Sequence, residues 1–456
     1  MNHLLRTSVL VTFTIISFSS VYAQEIPEEQ TLSLEECVQI ALDRSTRVIQ
    51  GKLLRDLRDA DVDQARNNFL PTLNASWGTT NAINGPRNAS FIDQGTGALI
   101  QSVGESTTSG GQTVRGNLNI SLFNASNFAT LSAARNTHRA SQLDLDASED
   151  IVVFEAKRDY YTLLQQMSLL EVQQEQVRVS EESLRRAETL NEIGSSPISE
   201  VFSAKADLER NKATLILREN AVEIARSNLS FSLGMTADVR IVPREVEIKI
   251  EPAGLTFEKA YQIASARPGL VADKHGMFSA KDQLKATRYN LYAPSISLSG
   301  SYGWNLSNDD DFAGIEDLFL RNYSYSVGLN VSVPVFNMRT TTGVKRQKIQ
   351  YLQQYETYEQ SKRQLGLDVR RALLRIAQFR RSIEANEASV LAQEQDFRLQ
   401  DEAYNFGAGT FLQRQQAQLN LFDARATLVG VRYDYQIQIA TLEQLIGMPI
   451  AEARKP

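Results

Sequence analysis

The sequence predicts an α+β membrane protein built from one unit used twice, in the order helix, strand, strand, long helix, helix. Three observations predict it. Residues 32–71 match residues 255–294 at a constant offset of 223, and from Phe123 onward the offset is 213. Four segments alternate apolar residues with Ser and Asn at the period of a strand. Two uninterrupted stretches, 125–193 and 338–406, carry seven-residue apolar repeats.

The repeat is visible residue by residue. Leu32-Ser33-Leu34-Glu35-Glu36 and Gln39-Ile40-Ala41 answer Leu255-Thr256-Phe257-Glu258-Lys259 and Gln262-Ile263-Ala264, and Pro71 answers Pro294. Further on, Phe123-Asn124 aligns with Phe336-Asn337, Gly194 with Gly407, and Leu233-Gly234-Met235 with Ile446-Gly447-Met448. The ten residues lost between the two offsets fall between about 78 and 116, in a Gly/Ser/Thr-rich stretch where a loop tolerates a change of length. The expected organisation is a signal peptide at 1–23, a first repeat at 24–235, a linker at 236–254, a second repeat at 255–448 and a tail at 449–456.

Taken in order, Arg6, the apolar run Val9 to Phe18 and Val21-Tyr22-Ala23 read as an export signal. The run is short of the roughly 20 residues a spanning anchor needs. Ser33 with Glu36 forms a capping box that opens a helix over 35–69, ended by Pro71. Strands follow at about 72–80 and 113–123, then helices at 125–193 and 198–231. The second repeat gives helices at 258–292, 338–406 and 411–444, with strands at about 295–304 and 322–334. Leu73, Ala75 and Trp77 share one face of the first strand, and Ile296, Leu298, Tyr302 and Trp304 share one face of the third. The opposite faces are Ser/Asn-rich and not charged. That suits lipid outside and a wet lumen inside, although a sheet half-buried on a soluble core gives the same alternation.

The helix lengths define an architecture. At 1.5 Å per residue the long helices span about 100 Å, and the two shorter ones stacked end to end match them. Leu163, Leu170, Val177 and Leu184 recur every seven residues, as do Val201, Leu208, Leu215, Val222 and Leu229 on the returning helix. Four strands cannot close a barrel, and open edges are costly in lipid. Cyclic association removes them; three copies, a preferred and not a derived number, would give twelve strands and twelve helical columns.

Composition excludes several functions. A single cysteine, Cys37, removes disulfide frameworks and Cys-based zinc sites, and His3, His138 and His275 are too scattered for a metal centre. The net charge of −6 gives no basic patch for nucleic acid. A mean hydropathy of −0.29 excludes a polytopic helical membrane protein but not a barrel. No catalytic constellation, cofactor motif or metal set stands out; Gly407-Ala408-Gly409 follows a helix and lacks a phosphate-loop context.

This pattern resembles the TolC-type outer-membrane efflux proteins. Leu32-Ser33-Leu34-Glu35-Glu36 with Leu255-Thr256-Phe257-Glu258-Lys259, Pro71 and Pro294, Tyr404-Asn405-Phe406-Gly407 with Thr410, and the terminal Leu233-Gly234 and Ile446-Gly447 pairs carry the resemblance. It implies a homotrimer, a trimeric 12-stranded β-barrel in outer-membrane lipid continued by a long α-helical coiled-coil tunnel, that conducts passively to the cell exterior. Its partners would be a periplasmic adaptor (membrane fusion protein) and an inner-membrane transporter, in a tripartite efflux or type I secretion system. The turns at Gly194–Pro197 and Tyr404–Thr410 would form the periplasmic tip where the adaptor docks. Family members place carboxylates six residues past the tip glycine, lining the aperture. Glu200 fits there in the first repeat, whereas the second has Gln413 followed by Gln416. One ring of three carboxylates would favour cations. Read alone, Glu200 is a solvated first-turn carboxylate and the turns are simply well made. A periplasmic coiled-coil adaptor or structural rod is the competing reading, with Trp304, Tyr323 and Tyr325 against it.

Overall fold

The computed structural model describes residues 29–454 apart from 87, 93–94, 104, 237–238, 245–249, 251, 253 and 308–322. The expected export signal lies outside the described residues. The elements are β1 (Glu29–Leu32), α1 (Leu34–Arg44), α2 (Thr46–Asn67), β2 (Thr72–Asn84), β3 (Asn88–Ile92), β4 (Leu99–Val103), β5 (Thr107–Asn124), α3 (Ala125–Glu192) and α4 (Ile198–Ser232). Then come β6 (Arg240–Pro243), α5 (Phe257–Ala264), α6 (Pro268–Tyr292), β7 (Ser295–Ser307), β8 (Tyr323–Ser332), α7 (Met338–Asn405), α8 (Phe411–Ile446) and α9 (Ile450–Ala453). The chain is α+β, and the order helix pair, strand, strand, long helix, helix occurs twice.

The capping box forms: Ser33 Oγ accepts from Glu36 N at 3.3 Å and Glu36 Oε2 accepts from Ser33 N at 2.7 Å. The helix it opens is not continuous over 35–69. It breaks at Ser45, whose backbone is extended, because the end of α4 abuts the break. Gly234 sits there at φ +69°, and a Cβ on it would meet Arg44 O at 2.8 Å. The expected helix 258–292 breaks in the corresponding place: Pro268 starts α6 after an extended Arg267, and Gly447 lies against Pro268 and Arg267. α3 and α7 are each 68 residues long and are capped by Asn124 and Asn337, whose side chains accept from Ser126 N and Thr340 N.

The strands form one antiparallel sheet in the order β2-β5-β7-β8. β2 and β5 run further than expected, to Asn84 and from Thr107, whereas β8 stops at Ser332. Between β2 and β5 lies the β3–β4 hairpin. Register puts Trp77, Val114, Trp304 and Tyr323 in one row on one face, and Ser76, Arg115, Gly303 and Ser324 in the neighbouring row on the other. A bulge between Ser121 and Phe123 shifts the alternation, so Phe123, not Leu122, continues the face of Ile120 opposite Ile296. Two further elements fall outside the expected plan. β6, within the expected linker, pairs in parallel with β1, and α9 occupies the expected tail.

Two helix cores repeat each other. Val152, Ala156, Leu163, Val222, Leu229 and Leu233 are buried in the first; Leu365, Val369, Ile376, Tyr435, Leu442 and Ile446, all 213 residues on, are buried in the second. The seven-residue apolar stripes are the faces that pack. Tyr160 closes the first core, donating to Arg244 O at 2.6 Å beside the β1–β6 pair. α3 packs on α2 and α4 of its own repeat and on α6 and α8 of the other, whereas α7 packs chiefly on α5, α6 and α8.

Candidate functional site at the helix tips

The four ends of α3, α4, α7 and α8 meet at one pole of the helical part. α3 ends because Gly194 takes φ +74°, letting Ser195 N reach Leu190 O at 2.8 Å and Gly194 N reach Asn191 O at 2.9 Å. Asn191 Nδ2 then donates to Ser196 O at 2.8 Å, and Pro197 leads into α4. The second turn is built alike: Gly407 has φ +71°, and Ala408 N reaches Ala403 O at 2.9 Å. Thr410 and Gln413 form the expected capping box that opens α8. Beneath the turns Ala187, Ala204 and Phe411 are buried with Leu184, Val201 and Tyr404 around them.

Glu200 and Tyr404 meet across this pole. Tyr404 Oη donates to Glu200 Oε2 at 2.9 Å, tying α4 to α7. Burial first, and then the Glu200 carboxylate, push the Tyr404 phenol up to about 12. Gln413 bends back to accept from Thr410, and Gln416 donates to Asn420 one turn further along, so neither touches Glu200. Gln413 and Gln416 are exposed.

A charged cluster beside this pair was not anticipated from the sequence. Asp401 Oδ1 accepts from Arg186 Nη1 at 2.9 Å and from Arg414 Nε at 2.5 Å, while Arg414 Nη1 donates to Ser183 Oγ at 2.8 Å. Three helices, α3, α7 and α8, are thereby joined through one carboxylate. Burial works against the charged form of Asp401, but the hydrogen bonds and charges of Arg414 and Arg186 outweigh it and hold the carboxyl below its usual range. Arg414 itself is only 4% exposed. The signal that could have found it is a broken stripe: 213 residues before Arg414 stands Val201, an apolar heptad residue. Deeper still, Asn211 Nδ2 donates to Ser180 Oγ at 2.8 Å, and Gln418 Nε2 donates to the same oxygen at 3.3 Å beside the buried Asp207.

This geometry holds helix ends together and offers water-facing side chains; it contains no nucleophile–base pair. Among the described residues no helix is long and apolar enough to cross a membrane. The four-stranded sheet exposes Leu73, Trp77 and Val327 on its apolar face.

Comparison with known proteins agrees. The family model for "Outer membrane efflux protein" matches residues 37–235 and 260–448. The chain is 21% identical over 423 residues to the outer membrane protein TolC of Vibrio cholerae, covering 91% of this chain and 90% of that one. It is 25% identical over 322 residues to the toluene efflux pump outer membrane protein TtgC of Pseudomonas putida, covering 69% of this chain and 64% of the relative. Among solved structures it superposes on CusC with a TM-score of 0.78 at 19% identity, over 94% of this chain and 96% of that one. The chain therefore belongs to the outer membrane efflux protein family and is an efflux channel protein of the outer membrane.

Proposed function

We propose that three copies of this internally duplicated chain close into a 12-stranded barrel continued by a helical tunnel, the passive exit duct of a tripartite export system. The single observation that carries this is an unmatched pair of edges. Inside the chain, β5 pairs with β7 and α3 packs on α6 and α8, which joins the two repeats. The equivalent surfaces at the two flanks of the fold, β8 and α7 on one side and β2, α2 and α4 on the other, are left open among the described residues. They carry exposed apolar side chains: Leu367 and Leu374 on α7, Leu53 and Leu57 on α2, Leu217 and Ile224 on α4. Repeating the inner seam between chains covers both edges at once and leaves none.

In that ring the Glu200–Tyr404 pairs lie around the tunnel's end. Glu200 lines the aperture as three carboxylates, with Gln413 and Gln416 as neutral neighbours. Ile193, Phe406 and Leu412 are exposed on and beside the turns containing Gly194, Pro197, Gly407 and Thr410, which supports those turns as the surface that docks a periplasmic adaptor. An inner-membrane transporter supplies the energy and selects the cargo.

The inner seam sets the test. Gly116 lies opposite Tyr302, and the repeat offsets turn that pair into Leu329 of one chain opposite Thr79 of the next. A chain carrying Leu329→Cys and Thr79→Cys should form intermolecular disulfides in membranes, giving dimer and trimer bands and nothing larger on non-reducing gels. Monomer alone under oxidising conditions would contradict the ring. Each single variant is the control; Cys37, the native cysteine, is buried.

A further inference from the structure

We infer that Arg115 forms a ring of positive charge inside the barrel's outer mouth that binds anions and selects for them; this rests on the ring proposed above. Among the described residues the four strands of the sheet carry one charged side chain, Arg115. It stands on the Ser/Asn face of β5, alternating with Val114, Gly116 and Leu118 of the apolar face. Its row reads Ser76, Arg115, Gly303, Ser324 from edge to edge, with Asn74, Asn117, Ser301 and Ser326 in the next row on that face. No acidic group of the sheet balances it.

The guanidinium is also left available. Neighbouring hydroxyls are spent on one another and on the backbone: Ser301 Oγ lies 2.8 Å from Ser326 Oγ, and Ser76 Oγ donates to Arg115 O at 3.4 Å. Among the described residues no hydrogen bond or ion pair holds the Arg115 side chain. Gly303 stands opposite, and a Cβ there would meet Val114 O at 2.6 Å and Arg115 Cα at 3.1 Å, so nothing larger fits beside the arginine. The second repeat has Gly328 at the matching offset. A trimer therefore holds three such charges, not six.

Height and spacing follow from strand geometry. Arg115 is adjacent to the row Trp77, Val114, Trp304 and Tyr323, whose aromatic rings suit the outer interface of the membrane. Twelve strands about 4.8 Å apart and tilted by about 40° enclose a lumen roughly 24 Å across between backbones. Arginines reaching inward about 6 Å would then stand roughly 10 Å apart, close to the Debye length at physiological salt. Their fields overlap at the height of the Arg115 row. A multivalent anion, or an exported molecule bearing carboxylate, sulfonate or phosphate, is drawn to this ring and can bridge two arginines.

The test uses the purified full-length protein in planar bilayers, with inorganic tripolyphosphate added on the barrel side. Wild-type current should be blocked from that side. Arg115→Ser, which extends the neighbouring serines, should raise the blocking concentration at least tenfold without changing unitary conductance more than about twofold. Arg115→Glu should abolish the block and create one by spermine. The reversal potential in a KCl gradient should move toward cation preference from wild type to Ser to Glu. Equal block and equal reversal potentials in all three proteins would overturn the inference while leaving the duct intact. A wild-type protein that forms no channel, or remains a single chain, would overturn the duct and this inference with it.

Discussion

The two long helices α3 and α7 have the same length and equivalent places in their repeats, yet sixteen residues of α3 are buried and only five of α7. Composition does not account for this. The residues that pack within each repeat agree: Val152, Ala156 and Leu163 are matched by Leu365, Val369 and Ile376, and all six are buried. The helices differ on the flank. Tyr161 of α3 is 9% exposed against the second repeat, whereas its counterpart Leu374 is 62% exposed because no described helix packs on that flank of α7. One helix lies inside a seam and the other waits at an edge. The apolar flank of α7 is thus evidence about what surrounds the chain.

The most damaging substitutions should separate these two flanks. Leu163→Ala, at a fully buried site, should cost about 3 kcal/mol in any state of assembly, read as a lowered Tm in detergent. Leu374→Ala should cost nothing in a dissociated chain but should weaken the assembly, seen as a raised concentration for trimer formation. Equal effects of Leu374→Ala in both states would break the comparison. Leu374→Lys, on the same edge, should prevent assembly outright.

The tips allow a second contrast, between Val201 of the first repeat and Arg414 of the second. Asp401→Ala leaves the buried Arg414 without its carboxylate; at a partly exposed site this should cost about 2–3 kcal/mol, below the 3–5 seen when fully buried pairs are broken. The pH dependence follows in sign. Because the folded-state pKa of Asp401 is depressed, its contribution is complete above the unfolded carboxyl value near 3.8 and is lost as pH falls through the folded one. Acid unfolding monitored by circular dichroism should therefore begin at higher pH and be less steep in Asp401→Asn than in wild type. Wild-type acid stability in that variant would show that the cluster holds nothing.

The smallest stability effect belongs to Glu200→Gln, which keeps the hydrogen-bonding shape and should shift Tm by only a degree or two. Its effect on conduction should be larger. If Glu200 lines the aperture, bilayer recordings should show a reversal potential moved away from the cation side or altered blockade by divalent cations; no change in either would reject that assignment. Removal of the carboxylate should also bring the Tyr404 phenol down from about 12, visible in an ultraviolet pH titration.

Much of this was legible in the sequence because the chain prints each element twice. Offsets of 223 and 213 located the strands, the long helices and both tip glycines. The break at Ser45 was hidden because no proline marks it; only Pro268, in the other repeat, carries a local signal. The β3–β4 hairpin was hidden in a Gly/Ser/Thr-rich stretch that reads as loop. At the tip Glu200 could be placed by its distance from Gly194, but its meeting with Tyr404 joins residues 204 apart and depends on how two helix pairs lie side by side. Arg414 could have been noticed as a charge where the heptad asks for an apolar residue. Asp401, its partner thirteen residues earlier, sits on a water-accessible face with nothing to distinguish it from its neighbours.

The central claim is that the open edges of one chain close on those of another. Light scattering of the detergent-solubilised protein, corrected for bound detergent, tests it most directly. A mass of three chains of about 51.0 kDa each, less any export signal removed, is the predicted result. A monodisperse particle of one chain, stable and folded, would contradict it.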